Sequence, residues 1–106
     1  MRCPTPGLQE MVGRLLAVKE TNSVLSEVQE ERRRQDEKWG EQNHTPPEWL
    51  SILGEEFGEV CKAVCEAHFS GYESTGNWAE YRKELIQLAA VATAMVECLD
   101  RNSHST

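Results

Sequence analysis

The sequence lacks any apolar run that approaches the roughly 18–20 residues needed to cross a bilayer. Its first residues, Met1 to Pro4, show no hydrophobic leader, so neither a membrane span nor secretion is expected. Aromatic residues make up only 7% of the chain and hydrophobic residues only 39%, so a single copy can bury a modest core. We therefore expect one domain that completes its core by binding further copies of itself, as a homodimer or homotetramer.

Basic residues are also scarce, with 11 against 18 acidic residues and a formal charge of -7. A surface of that sign disfavours nucleic acid and anionic membranes as partners. It fits either a solvated acidic face or a group of carboxylates that holds a cation, and a solvated face is the commoner cause.

Cysteine is present without the pattern of a disulfide framework, because most of the cysteines fall inside helical patterns rather than in loops. We therefore expect reduced thiols in a cytoplasmic protein. Cys61, Cys65 and His68 share one side of a helix, which is a conceivable site for a soft metal, but no fourth ligand is evident and packing is the favoured interpretation. The four cysteines are Cys3, Cys61, Cys65 and Cys98.

No segment alternates as a strand does, so the fold class is all-α. A short first helix follows Thr5-Pro6-Gly7, and a break at residues 21–23 separates it from a second helix that ends at Trp39, before Gly40. We interpret residues 1–22 as an N-terminal extension with a short helix, 23–101 as a helical domain and 102–106 as a frayed tail.

Two further helices have stronger start signals. Thr45-Pro46-Pro47-Glu48 predicts a capping box with proline in the first turn, and the third helix extends from there to about Phe69. Asn77, followed three residues later by Glu80, predicts the cap of a fourth helix that ends near Arg101.

Glutamates fall on the apolar faces of these two helices. With about 100° per residue, Glu56 lies in the apolar arc of the third helix and Glu59 at its edge, while Glu55 points to solvent. On the fourth helix Glu84 lies in the arc and Gln87 beside it. The apolar arcs, which we expect to be buried, comprise Trp49, Leu50, Ile52, Leu53, Phe57, Val60, Ala63, Val64 and Ala67, and then Tyr81, Leu85, Leu88, Val91, Ala92, Met95, Val96, Cys98 and Leu99.

A carboxylate placed among apolar residues is costly unless something compensates its charge. A hard divalent cation would do so, because Mg²⁺ takes oxygen ligands and keeps several waters. The i, i+3 spacing puts two oxygen-bearing side chains on one helical surface, as metal sites in helix bundles require. The alternative is that each inward glutamate pairs with an arginine or lies at the edge of the bundle.

Glu55-Glu56-x-x-Glu59, followed after 24 residues by Glu84-x-x-Gln87, resembles the E-E-x-x-E … E-x-x-D signature of the MazG-like all-α nucleoside triphosphate pyrophosphohydrolases. The stretch from Arg34 to Gly40 and the His44-x-Pro46 lead-in are similar to phage and mobile-element members. The likeness covers about residues 28–101.

The resemblance implies a MazG-like helical bundle, completed by homo-oligomerisation, that converts a (d)NTP and water to a (d)NMP and pyrophosphate. It implies Mg²⁺, or alternatively Mn²⁺, as cofactor. Glu56, Glu59 and Glu84 would be metal ligands, and Glu55 would take a supporting catalytic role such as orienting water. The family has Asp where this chain has Gln87, whose carbonyl oxygen can ligate a cation but brings no charge.

Several residues near the second helix are candidates for substrate binding. Trp39 could stack on a nucleobase, or it could be a core or interface aromatic. Lys38 and Arg34 could contact phosphate oxygens, although a charge run of this kind is usually solvated. His44 could contact substrate or have no role, and Trp78 is expected to be a staple or interface residue.

The interpretation is a pyrophosphohydrolase that keeps the nucleotide pool clean. Two alternatives stay open. One is a pyrophosphatase specific for phosphoribosyl-ATP or for dUTP or dCTP. The other is a non-catalytic helical binding module in which Gln87 marks a decayed site.

Overall fold

A computed structural model describes residues 5, 7–69, 76 and 78–103. These residues form three α helices and no strand: α1 (Leu8–Trp39), α2 (Pro46–His68) and α3 (Ala79–Asn102). The all-α prediction is therefore confirmed. No helix among the described residues is long and apolar enough to cross a membrane.

Helix α1 is one continuous helix of 32 residues, so the prediction of two helices separated by a break at residues 21–23 is wrong. The polar residues there bond within the helix: the Thr21 hydroxyl donates to the Ala17 carbonyl (3.0 Å) and the Ser26 hydroxyl donates to the Asn22 carbonyl (2.9 Å). Such back-bonding is compatible with a helix interior, and neither Gly nor Pro interrupts residues 14–39. Helix α1 ends as predicted, with Gly40 at a positive φ of 73°.

Helix α2 begins with the predicted capping box. The Thr45 hydroxyl accepts from the Glu48 backbone N–H (3.4 Å), and the Glu48 carboxylate accepts from the Thr45 backbone N–H (3.2 Å). Helix α3 begins at Ala79 with Trp78 as its N-cap, one residue later than predicted, and Trp78 gives no side-chain capping bond. The predicted cap Asn77 and the tail residues 104–106 lie outside the described residues.

Helices α2 and α3 pack as an antiparallel pair, because Trp49 near the start of α2 lies in one buried cluster with Val91, Ala94 and Cys98 toward the end of α3. The small side chains of Ala63, Ala67 and Ala90 are also buried, which lets the two helices approach closely.

Helix α1 packs on α3 through its C-terminal half, where Val28 is buried. Two ion pairs join these helices. The Arg32 guanidinium donates to Glu97 (2.6 Å), and the Arg82 guanidinium donates to Glu27 (2.8 Å). Helix α3 is therefore the central helix, with α1 and α2 packed against it.

The single chain is open rather than compact. Its radius of gyration is 18.6 Å, against about 13 Å for a compact chain of this length. Its accessible surface is 8437 Å², whereas a compact monomer of this mass exposes about 6,000 Å². Cys61, Cys65 and Cys98 carry free thiols.

Part of the predicted core is wrong, because several residues of the apolar arcs are exposed in this open structure. Side chains in the predicted apolar arcs are exposed where neither neighbouring helix covers them, because α3 and α1 cover only part of each arc. These exposed side chains are Leu50, Phe57, Leu85, Ala92, Val96 and Leu99.

Candidate functional site

Glu84 of α3 is a buried carboxyl group, with 8% of its surface exposed. Burial raises its pKa above the ordinary value, and a hydrogen bond with Glu80 and the negative charges of Glu80, Glu56 and Glu59 raise it further. The three acids predicted as metal ligands therefore lie close enough to repel one another.

Glu56 of α2 is half-buried, whereas Glu55 and Glu59 are exposed, as the helical wheel predicts. Burial raises the pKa of Glu56, and the charges of Glu59, Glu31 and Glu55 add to that effect. The interaction with Glu31 shows that α1 also contributes a carboxylate near this group.

Glu31 and Glu80 are two acids near the site that the sequence motifs do not indicate. Glu80 lies one turn before Glu84 on α3, so an i, i+4 comparison could have found it. Glu31 lies one turn before Gln35 on α1, but nothing local to α1 indicates that this side faces α2. Only the packing of the helices brings Glu31 near Glu56.

A cleft of about 670 Å³ opens between the three helices. It brings together five of the predicted site residues: Arg34, Lys38 and Trp39 of α1, Glu56 of α2 and Gln87 of α3. Glu31, Gln35 and Glu37 also line it.

Glu59 and Glu84 line a second, much smaller hollow. This hollow lies beside the cleft, because Glu59 raises the pKa of Glu56 and both Glu56 and Glu59 raise the pKa of Glu84. Its walls are Glu59, Lys62, Ala63, Glu66, Glu80 and Glu84.

The positive charges of the cleft lie on its α1 side. Arg34 donates to the Glu31 carboxylate (2.7 Å), and its own side chain is largely exposed. The Lys38 ammonium lies 4.8 Å from the centre of the Trp39 ring, whose residue is 61% exposed. The cleft thus combines the Glu56 carboxylate of α2 and the Gln87 amide of α3 with an α1 side that carries two cations, two further carboxylates and an accessible aromatic ring.

His44 does not line this cleft. Its ring packs edge-on against Trp49, with centroids 4.8 Å apart, in an apolar groove between the start of α2 and the end of α3. His44 precedes the start of α2, whereas Glu56 lies ten residues after the first residue of that helix, which is about 15 Å along its axis. His44 is therefore remote from Glu56 and the cleft. Within the described part of the chain, the buried His44 Nε2 and Trp49 Nε1 have no hydrogen-bond partner.

The residues on the carboxylate side match the donor chemistry of a hard divalent cation, since all of them offer oxygen. Among the described residues, however, no three His, Cys, Asp or Glu side chains form a group that could hold a metal ion. Glu56, Glu59 and Glu84 therefore interact through their charges without forming a closed ligand set. The charge of Glu59 raises the pKa values of both Glu56 and Glu84, and a bound cation would relieve this repulsion.

Comparisons of the chain with protein-family models, with curated proteins and with solved structures found no match.

Proposed function

We propose that this protein is a Mg²⁺-dependent nucleoside triphosphate pyrophosphohydrolase, which hydrolyses a (d)NTP to a (d)NMP and pyrophosphate. The observation that carries the proposal is the buried Glu84, whose pKa is raised by the charges of Glu56 and Glu59, beside a cleft that Arg34 and Lys38 line. Interacting carboxylates next to cations suit a cation–polyphosphate complex, because the acids attract the cation and the basic groups attract the phosphates.

In this proposal Glu56, Glu59 and Glu84 hold the metal, and Gln87 adds a neutral oxygen ligand. When bound, the ion polarises the phosphate chain and lowers the pKa of the attacking water. Arg34 and Lys38 bind phosphate oxygens and so fix the chain relative to the carboxylates. Glu55, at the solvent edge beside Glu56, orients water.

The nucleotide base is assigned to Trp39. The indole is exposed at the end of the cleft occupied by Lys38, so a base can stack on it while the phosphates extend toward Glu56. Stacking on an aromatic face tolerates different bases, which suits a broad (d)NTP substrate range.

Self-association is the second part of the proposal. The exposed apolar side chains of the α2–α3 pair form a face that a further copy of the chain would cover, with α2 contributing Leu50 and Phe57 and α3 contributing Val96 and Leu99. Obligate interfaces are usually apolar in this way.

The test is pyrophosphate release from a panel of (d)NTPs, with phosphoribosyl-ATP included, in Mg²⁺ or Mn²⁺. Release from several (d)NTPs supports the broad enzyme, whereas release from dUTP, dCTP or phosphoribosyl-ATP alone supports the specific pyrophosphatase. The lack of a closed ligand set among the described residues favours a third candidate, the non-catalytic binding module. No release across the panel, with no thermal shift from either metal, would establish that candidate over the enzyme.

Replacing Trp39 with alanine is expected to raise KM for the preferred nucleotide about tenfold with little change in kcat. Loss of one base–aromatic stack costs about 1–3 kcal/mol, and 1.4 kcal/mol corresponds to tenfold. Trp78→Ala is the matched control, because Trp78 is also a partly exposed tryptophan but packs on Tyr81 (5.6 Å between centroids) outside the cleft. An unchanged KM in Trp39→Ala would remove Trp39 from the base site.

A further inference from the structure

The N-terminal half of α1, residues 8–26, is a helical arm that the rest of the chain leaves uncovered. Every residue of the arm is exposed, although the arm is rich in large aliphatic side chains. Helix α3 does not reach it, since the buried Val28 marks where the contact with α3 lies. An isolated apolar helix of this length gains stability mainly from packing its apolar face against something else.

Five of the eight large apolar side chains of the arm follow a heptad repeat, whereas Val12, Leu16 and Val24 lie outside it. If Leu8 is assigned to position a, the a positions are Leu8, Leu15 and Asn22 and the d positions are Met11, Val18 and Leu25. The centre of this stripe is turned by roughly a third of a full rotation from the side on which Val28 meets α3. The stripe therefore faces to one side of the contact with α3 rather than toward it.

We propose that the arm pairs with the arm of a second copy of this chain as a parallel two-stranded coiled coil. A two-fold axis sets the stripe of one copy against the same stripe of the other, so the surface is complementary to itself. In a parallel pair the amides of the two Asn22 residues face each other and hydrogen-bond, as a single Asn at an a position does. In an antiparallel pair Asn22 would face an apolar d position and lose that bond.

The excess accessible surface of the single chain is large enough for a dimer interface with a second copy. The chain exposes about 2,400 Å² more than a compact monomer of its mass, and a stable dimer of standard size buries about 800 Å² from each partner. The open single chain thus has enough surplus surface for the arm and for the α2–α3 face.

Charge argues for a protein copy over a lipid surface. The arm carries Glu10 and Glu20 against Arg14 and Lys19, so it has no net charge, and the chain as a whole is acidic. Amphipathic helices that lie on anionic membranes are usually rich in basic residues. We expect no co-sedimentation with vesicles that contain anionic lipid, and vesicle binding that Leu15→Glu abolishes would assign the stripe to a membrane instead.

The deciding experiment is sedimentation equilibrium of the full chain over a range of concentrations. Leu15→Glu is expected to weaken association by about 100-fold or more, which halves the assembly mass at intermediate concentration, because the substitution is repeated on both copies. Ala17→Glu is the matched control, since it adds the same charge to an exposed position outside the stripe. Helicity measured by circular dichroism should stay close to wild type in both. An unchanged mass for Leu15→Glu would overturn the proposal.

Two further variants test the register and the direction. Asn22→Leu should tighten association and allow larger assemblies, because it removes the polar residue that restricts the pairing. In a parallel pair Arg14 at position g lies near Lys19 of the partner subunit at position e, so Arg14→Glu should tighten association as well. Equal or weaker association in Asn22→Leu would contradict the register, and no gain in Arg14→Glu would contradict the parallel direction. None of these variants touches the cleft, so they test pairing independently of enzyme activity.

Discussion

Replacing Glu84 with glutamine is expected to reduce Mg²⁺-dependent pyrophosphate release by about 100-fold or more, since changing even an outer-shell group of a metal site typically costs 10–100-fold. Glutamine keeps the size and one carbonyl oxygen but removes the charge that the metal requires. Circular dichroism and the oligomer mass should be unchanged, because the substitution preserves the volume of a side chain that is 8% exposed.

The same variant is expected to stabilise the metal-free fold at neutral pH. Burial and neighbouring carboxylates hold the pKa of Glu84 above its ordinary value of 4.5. Between that value and the raised pKa, the folded chain binds more protons than the unfolded chain, so stability increases as the pH falls through this window. Above the raised pKa the buried charge destabilises the fold, and Glu84→Gln removes that cost. Urea unfolding in EDTA across this pH range should show a higher midpoint for the variant at pH 7 and a flatter pH dependence.

The control for both effects is Asp100→Asn, which also removes one carboxylate from α3 but at an exposed position 16 residues farther along the helix. It should leave pyrophosphate release and the pH profile of stability close to wild type. Wild-type pyrophosphate release in Glu84→Gln would contradict the assignment of Glu84 as a metal ligand. A lower unfolding midpoint at pH 7 in EDTA would instead show that the buried carboxylate stabilises the fold.

Replacing Gln87 with aspartate is expected to lower the Mg²⁺ concentration for half-maximal activity by about tenfold. Gln87 lines the cleft with Glu56, so an acid there adds one negative charge to the proposed ligands. A gain of about 1.4 kcal/mol in the charge–ion interaction is enough for that factor and is modest for a partly buried pair. Activity at graded Mg²⁺ gives the measurement, and Gln87→Leu, which offers no oxygen, is the matched comparison.

Gln87→Asp should also make stability more dependent on the metal. Without Mg²⁺ the new carboxylate adds to the repulsion around Glu56, so the unfolding midpoint in EDTA should fall. With Mg²⁺ the midpoint should recover, because a ligand that binds only the folded state stabilises it in proportion to the logarithm of its concentration over Kd. If the metal requirement and the metal-dependent shift both stay at wild-type values, position 87 is not part of the metal site.

The sequence alone predicts much of the local structure, and the structure agrees where the signals are local. The capping box at Thr45 and Glu48 and the end of α1 at Gly40 each depend on residues within one turn. The inward position of Glu84 depends only on the regular 100° advance of a helix. The break predicted at residues 21–23 fails because Thr, Asn and Ser can cap a helix or bond back within one, and the two outcomes share the same residues.

Only the α2 and α3 residues of the candidate site could be predicted together from the sequence. The acids of α2 and α3 are visible as sequence motifs. How α1 and α2 pack on α3, however, decides that Arg34, Lys38 and Trp39 line the same cleft as Glu56 and Gln87. The same packing places His44 in a different groove. The same holds for Glu31, which has no motif of its own.

By itself, then, the sequence determined the cap of α2, the end of α1 and the apolar faces of α2 and α3, because these depend on neighbours along the chain. Only the tertiary structure decided which apolar faces are covered. Leu50 and Phe57 lie in the predicted apolar arc of α2 and Leu15 in the stripe of the arm, yet all three are exposed because the three described helices offer too few neighbours to bury them. The number and placement of packing partners is a non-local property, and it separates the buried Glu84 from the uncovered arm.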